Sequence, residues 1–195
     1  MKRIIPVAVL AALLLAGCAG PSGPAGRPVG WGEDWALVGD LLGVEPMEGF
    51  VPGENKDALG AAGLYYATWT AGEGEPITND EGGEAAVYDA QLYVPIQQYK
   101  ETEKAETALE DWQERERDNY EAGEAVTETH AGQAFTVLPL LEGNEGNPYT
   151  HGAAAFALHE GGWALCVELL CRDGFAGDPQ ALLGAFLDGF HYNDG

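Results

Sequence analysis

From Tyr88 to Ile96 every second residue is apolar: Tyr88, Ala90, Leu92, Val94 and Ile96. A period of two puts these side chains on one face of an extended strand, and a strand that is dry on one side belongs to a sheet with one buried face. The alternate set, Val87, Asp89, Gln91, Tyr93 and Pro95, is mixed. Upstream, residues 64–70 (LYYATWT) are aromatic and β-branched, which predicts a second strand. Residues 71–83 between the two are polar and glycine-rich. Residues 64–70 and 84–96 are therefore expected to form a hairpin.

The other elements are read around that hairpin. Apolar residues at 31, 35, 38 and 41/42 predict a short helix, with Glu33 and Asp34 in the first turn, where the helix dipole favours acids. Residues 43–57 read as loop, and Asn55 as the cap of a helical turn through Ala58 and Leu59. Ala105, Ala108, Leu109 and Trp112 form an apolar stripe over a helix at about 102–119. Thr102 is its expected N-cap, and Asp111 with Arg115 an i,i+4 ion pair. Residues 125–129 and 133–141 predict a hairpin turning at His130-Ala131-Gly132. Residues 151–158 and 163–170 predict another. Asp178 as N-cap and Pro179 at the first helical position open a last helix at about 179–189. Its buried face is Leu182, Leu183, Phe186, Leu187 and Phe190, and Gly189 is placed to end it.

The expected fold class is α+β: an antiparallel sheet of about six strands in hairpins, with the mid-chain and C-terminal helices packed on it. In this order of elements the chain resembles the PsbP-like α/β/α sandwiches. The resemblance is one of topology, without a motif. It implies an extrinsic module that docks a protein partner, and it implies no chemistry, because a fold does not fix a function.

The amino terminus carries a different signal. Lys2 and Arg3 precede an apolar run over residues 4–15, the length of a secretory leader core. A membrane-spanning helix needs about 20 apolar residues. Leu15-Ala16-Gly17-Cys18 then resembles the lipobox of bacterial lipoproteins. That resemblance implies removal of residues 1–17 and a diacylglycerol on the Cys18 sulfur. It also implies lipid anchoring at the extracytoplasmic face of the cell membrane, with two acyl signals for stable attachment. The alternative is an ordinary signal peptide cut near residues 17–20, with Cys18 incidental. Beyond Cys18, residues 19–30 (AGPSGPAGRPVG) read as a flexible tether, so residues 18–30 link the anchor to a single domain at 31–195.

Charge and missing residue types exclude several chemistries. The chain has 9 Lys+Arg against 32 Asp+Glu; losing Lys2 and Arg3 leaves 7 against 32, a net of −25. Nucleic-acid binding depends on basic residues that neutralise phosphates, so it is not expected. Nor is a polybasic grip on anionic lipid. Ser22 is the sole serine and lies in the tether, which leaves the domain without a serine nucleophile. There is no His-Glu-x-x-His run and no phosphate loop ending in Gly-Lys-Ser/Thr. No cofactor and no metal are expected; His130, His151, His159 and His191 fall at turns, at strand ends and in the tail.

Cys166 and Cys171 form an even pair, which suggests a disulfide. Five steps of extended strand span roughly 16 Å against the 7 Å limit for bridged Cα atoms, so buried free thiols are favoured. The aromatic hairpin reads as core beneath helices or, with one face open, as a stacking platform for a sugar or peptide. Tyr65, Trp69 and Tyr93 are the candidate ligand-binding residues for that second case. The reading from sequence is a membrane-anchored, non-catalytic binding or interaction domain. A protein-docking assembly module and a hydrolase built on paired carboxylates stand as alternatives.

Overall fold

The structure, a computed structural model, describes residues 28, 30–53, 56–59, 63–78 and 84–193. The leader, Cys18, nearly all of the tether and Asn55 lie outside the described residues. The order is β1 (Ala36–Val38), β2 (Leu42–Val44), β3 (Val51–Pro52), β4 (Lys56–Leu59), β5 (Leu64–Ala71), β6 (Glu75–Thr78), β7 (Glu84–Val87) and β8 (Ala90–Gln98). Helix α1 (Thr102–Asn119) follows, then β9 (Tyr120–Ala122), β10 (Val126–His130), β11 (Gln133–Gly143), β12 (His151–His159) and β13 (Trp163–Cys171). Helix α2 (Pro179–Asp188) and β14 (Phe190–Tyr192) are the last elements among the described residues.

The main sheet has nine strands and runs β10-β11-β12-β13-β8-β5-β3, with β4 also on β5 and β9 also on β11. Strands β1, β2 and β14 make a second sheet, and β6 with β7 a third. The register assigns every side chain of the main sheet to a face. Tyr65, Ala67, Trp69 and Ala71 pair with Ile96, Val94, Leu92 and Ala90. Leu165 and Leu169 stand opposite Ile96 and Leu92 in turn. This set, with Phe135, Val137 and Val167, is one apolar core. Helix α2 covers it through Leu183, Phe186 and Leu187, together with Val38, Leu42 and Val44 of the small sheet. Burying side chains of this size stabilises by about 1.5–3 kcal/mol each. The opposite face packs Leu138, Leu140, Ala154, Phe156, Ala164 and Cys166 under Ala105 and Leu109 of α1.

The α+β class and the two helices hold as read from sequence. The alternation in residues 90–96 is confirmed: Ala90, Leu92, Val94 and Ile96 are all fully buried. Strands β5 and β8 do pair, but residues 84–96 break at Tyr88-Asp89, and β6–β7 forms an extra hairpin between them. The expected helix at 31–42 is a hairpin of β1 and β2 instead. Gly39 stands at φ +56° in its turn, a left-handed position that a right-handed helix cannot pass through. Val38, Leu41, Leu42 and Val44 are buried as the pattern required, and tertiary packing sets the backbone. Residues 56–59 form β4 on the edge of β5, in place of the helical turn.

Two helix details differ as well. Glu101, without a side-chain cap bond, precedes α1, and Thr102 is its first residue. Arg115 does not pair with Asp111; it turns inward. Helix α2 is capped as expected, with Asp178 Oδ1 accepting from the Gln180 amide at 3.0 Å and the Ala181 amide at 3.5 Å.

Candidate functional site

The structure separates the three aromatic residues singled out above. Trp69 is 1 % exposed and meets the Phe186 ring edge-on at 4.9 Å, so it belongs to the core under α2. Tyr65 lies on the same face, half-buried, with its ring 6.1 Å from that of Trp163. Tyr93 points the other way. Its cross-strand partners are Thr68 and Glu168, so it shares the α1 face with Tyr66, Thr68 and Thr70. The three do not form one platform, because Tyr65 and Trp69 are odd-phase neighbours of the dry side of β8.

What the register does assemble on the α1 face is a polar and aromatic patch. Helix α1 packs across β12 and β13. On β5 and β8 beside it lie Tyr66, Thr68, Thr70, Gln91, Tyr93 and Gln97, all half-buried. The Tyr66 and Tyr93 rings are 5.7 Å apart and tilted by 54°. Gln91 and Gln97 are held as acceptors: Tyr149 donates its hydroxyl to Gln91 Oε1 at 2.8 Å, and Tyr99 donates to Gln97 Oε1 at 2.7 Å. The other hydrogen-bonding group of each side chain is its amide NH2, a donor. Burial, and then the charge of Glu168, push the Tyr93 hydroxyl well above its usual range, so it stays a neutral donor.

Between patch and helix lies a buried charge cluster. Glu116 of α1 and Glu168 of β13 are each 2 % exposed. Arg115 binds both, Nε to Glu116 Oε1 at 3.0 Å and Nη2 to Glu168 Oε1 at 2.5 Å. The Cys166 thiol also donates to Glu168, at 3.4 Å. One guanidinium cannot neutralise two carboxylates in a medium that penalises charge. Burial, followed by the charge of Glu168, raises the Glu116 pKa, and burial raises that of Glu168 against the pull of Arg115. Sequence reasoning missed this cluster: Arg115 and Glu168 are 53 positions apart, and nothing local marks Glu116 as the inward acid among the outward ones.

Cys166 and Cys171 are free and buried. They lie on one continuous strand, on opposite faces, which is the geometry the spacing argument favoured. The histidines are dispersed. His130 bonds Asp188 Oδ1 at 2.8 Å and Glu128 Oε2 at 3.1 Å. His159 stacks on Tyr192 at 4.3 Å, and His191 stacks on Trp35 at 3.9 Å while bonding Glu45 at 2.8 Å. His151 Nδ1 lies 3.1 Å from the Thr150 hydroxyl. Among the described residues no three His, Cys, Asp or Glu converge as a metal site, and no helix is long and apolar enough to cross a membrane.

No family model matches the chain, and no curated protein does. Among solved structures it is similar to cyanobacterial PsbP (CyanoP) from Synechocystis sp. PCC 6803, with 14 % identity and a TM-score of 0.44. The match covers 88 % of this chain and 100 % of that one. The α+β class rests on the chain's own antiparallel sheet and its two helices.

Proposed function

We propose that the protein is a non-catalytic binding domain, held at the extracytoplasmic face of a membrane by lipid on Cys18, and that it binds a glycan on the β5–β8 half of the α1 face. One observation carries the site: the side chains beside α1 are hydroxyls, amides and paired tyrosine rings, not an apolar core. Ring faces suit the C–H faces of a sugar, and threonine, glutamine and tyrosine suit its hydroxyls. The anchor rests on the lipobox-like Leu15-Ala16-Gly17-Cys18. The strong negative charge keeps the domain off an anionic surface, so the lipid and the 18–30 tether do the attaching.

A hydrolase reading is disfavoured by the carboxylates themselves. Glu116 and Glu168 are buried under α1 and share one arginine. The glycan profile of the folded domain on an array tests the site. Loss of binding in Tyr66→Ala and Tyr93→Ala supports it, and an unchanged profile in both refutes it. Intact mass of membrane-extracted protein tests the anchor: a diacylglycerol-modified chain starting at Cys18 is expected, and an unmodified chain starting later refutes it.

A further inference from the structure

One edge of the nine-stranded sheet is β10, with β9 beside it on β11, four strands away from β8. Its register with β11 is regular over five pairs, from Val126↔Val137 to His130↔Gln133. The phase of the ladder is fixed by the Gly123 amide, which donates to the Pro139 carbonyl at 2.8 Å. Odd-numbered residues of β11 up to Pro139, before the register shift at Leu140/Glu142, therefore bond towards β10. In an antiparallel ladder the bonding residues alternate, so Val126, Glu128 and His130 bond inwards. Thr127 and Thr129 direct their N–H and C=O outwards, and both residues are exposed without a partner among the described residues.

Natural sheet edges are usually blunted by proline, by charge (lysine above all) or by a bulge. Strand β10 (VTETH) has no proline or lysine and pairs with β11 without a register shift; its charged side chain is Glu128. The end of the hairpin is also pinned. The two-residue turn Ala131-Gly132 has φ +48° and +79°, the primed geometry that matches strand twist. His130 clamps the hairpin end to Asp188 of α2 at 2.8 Å. Val126 is 45 % exposed, an apolar side chain presented at the same edge.

Charge selects the occupant. Glu121, Glu124 and Glu128 are exposed along the edge. No lysine or arginine occurs in the sequence between Arg117 and Arg172. A second copy of this chain is a poor fit. Two-fold pairing through both threonines places Glu128 directly opposite its own copy, at the closely spaced position where like charges repel. An extended basic strand meets the same position with an attractive pair, drawn in by the field of the whole domain.

We propose that β10 is a docking edge that accepts an extended, lysine- or arginine-bearing segment of a partner protein as an added antiparallel strand. Main-chain bonds from Thr127 and Thr129 supply the pairing, and Glu128 supplies the charge preference. This surface is independent of the glycan patch on β5 and β8.

The test uses the full chain and two synthetic heptapeptides, one alternating Lys and Val, the other Glu and Val. Amide exchange and chemical shifts are read for residues 124–130 and for Tyr66 and Tyr93. The Lys-Val peptide is expected to bind, to slow exchange at Thr127 and Thr129, and to weaken as salt rises. Thr127→Pro removes an outward N–H that the sheet does not use, so the fold is kept and affinity falls at least tenfold. Glu128→Lys leaves the backbone intact, gives up the 3.1 Å contact with His130, and is expected to weaken binding of the Lys-Val peptide and narrow its lead over the Glu-Val peptide. Equal binding of both peptides, no binding at millimolar peptide, shifts at Tyr66 and Tyr93 in place of Thr127 and Thr129, or a self-paired dimer at these amides would each overturn the proposal. Loss of glycan binding in Tyr66→Ala leaves these outcomes unchanged.

Discussion

Arg115 reaches down from helix α1 to Glu168 on the strand beneath it, and the same guanidinium holds Glu116 one residue along its own helix. The pairing joins helix α1 to the centre of the main sheet. It also leaves two buried acids for one base. Arg115 is 32 % exposed at its side chain while both acids are 3 % exposed, so the cation is the part of the triad that water can still reach.

Removing Arg115 is therefore costly. Arg115→Met strands a carboxylate in the interior and is expected to destabilise by about 3 kcal/mol, the low end for breaking a buried pair. Urea unfolding at neutral pH measures it.

Glu116 gives this triad a pH signature. Its pKa is raised in the fold, so between its unfolded and folded values the native state binds more protons than the unfolded one. Stability from this group is highest in mild acid and falls as pH rises through that window. Glu116→Gln is expected to flatten the alkaline side of a melting-temperature profile. A profile that keeps its slope in the variant rejects the assignment.

His130 adds a second slope of the same sign. Burial opposes its charge, but the hydrogen bonds it donates to the Asp188 and Glu128 carboxylates prevail and raise its pKa. It also sits at the C-terminal end of α2, where a cation is favoured by about 0.3–1 kcal/mol. That contribution is complete below the unfolded histidine value and disappears as pH rises through the folded one. His130→Gln is expected to lower the melting temperature at pH 5 and to change it little at pH 9.

Ala131 is the non-glycine residue with positive φ among the described residues. A left-handed alanine is strained by about 1–2 kcal/mol, and glycine's extra unfolded-state freedom takes back part of that. Ala131→Gly is expected to stabilise the domain by about 0.5 kcal/mol, read as a small rise in urea midpoint with no change of slope.

The two domain cysteines are expected to be silent to a thiol reagent in the native state and to react together on unfolding. Burial raises both pKa values, that of Cys171 to about 12. Fast labelling of either in the folded domain contradicts their placement.

Where one period and one partner decide an element, the sequence was enough. The alternation in β8 named its buried side chains, and Asp178-Pro179 marked the start of α2. Other elements depend on what lies across space. Residues 31–42 carry a helical spacing by coincidence, and Gly39 with the neighbouring sheet makes them a hairpin. Strand β5 has aromatic residues in both phases, so only its pairing with β8 shows that Tyr66 stands beside Tyr93 and that Trp69 does not. The acid that turns inward from α1 is chosen by a partner on β13 far along the chain.

The small sheet of β1, β2 and β14 joins the beginning of the domain to its end. Phe190 pairs with Val44, His191 rests on Trp35, and the Asn193 amide donates to the Leu41 carbonyl at 2.7 Å. The first hairpin therefore waits for the last strand before its outer edge is closed. Until residues 190–192 fold back onto residues 42–44, that hairpin is a clasp left open.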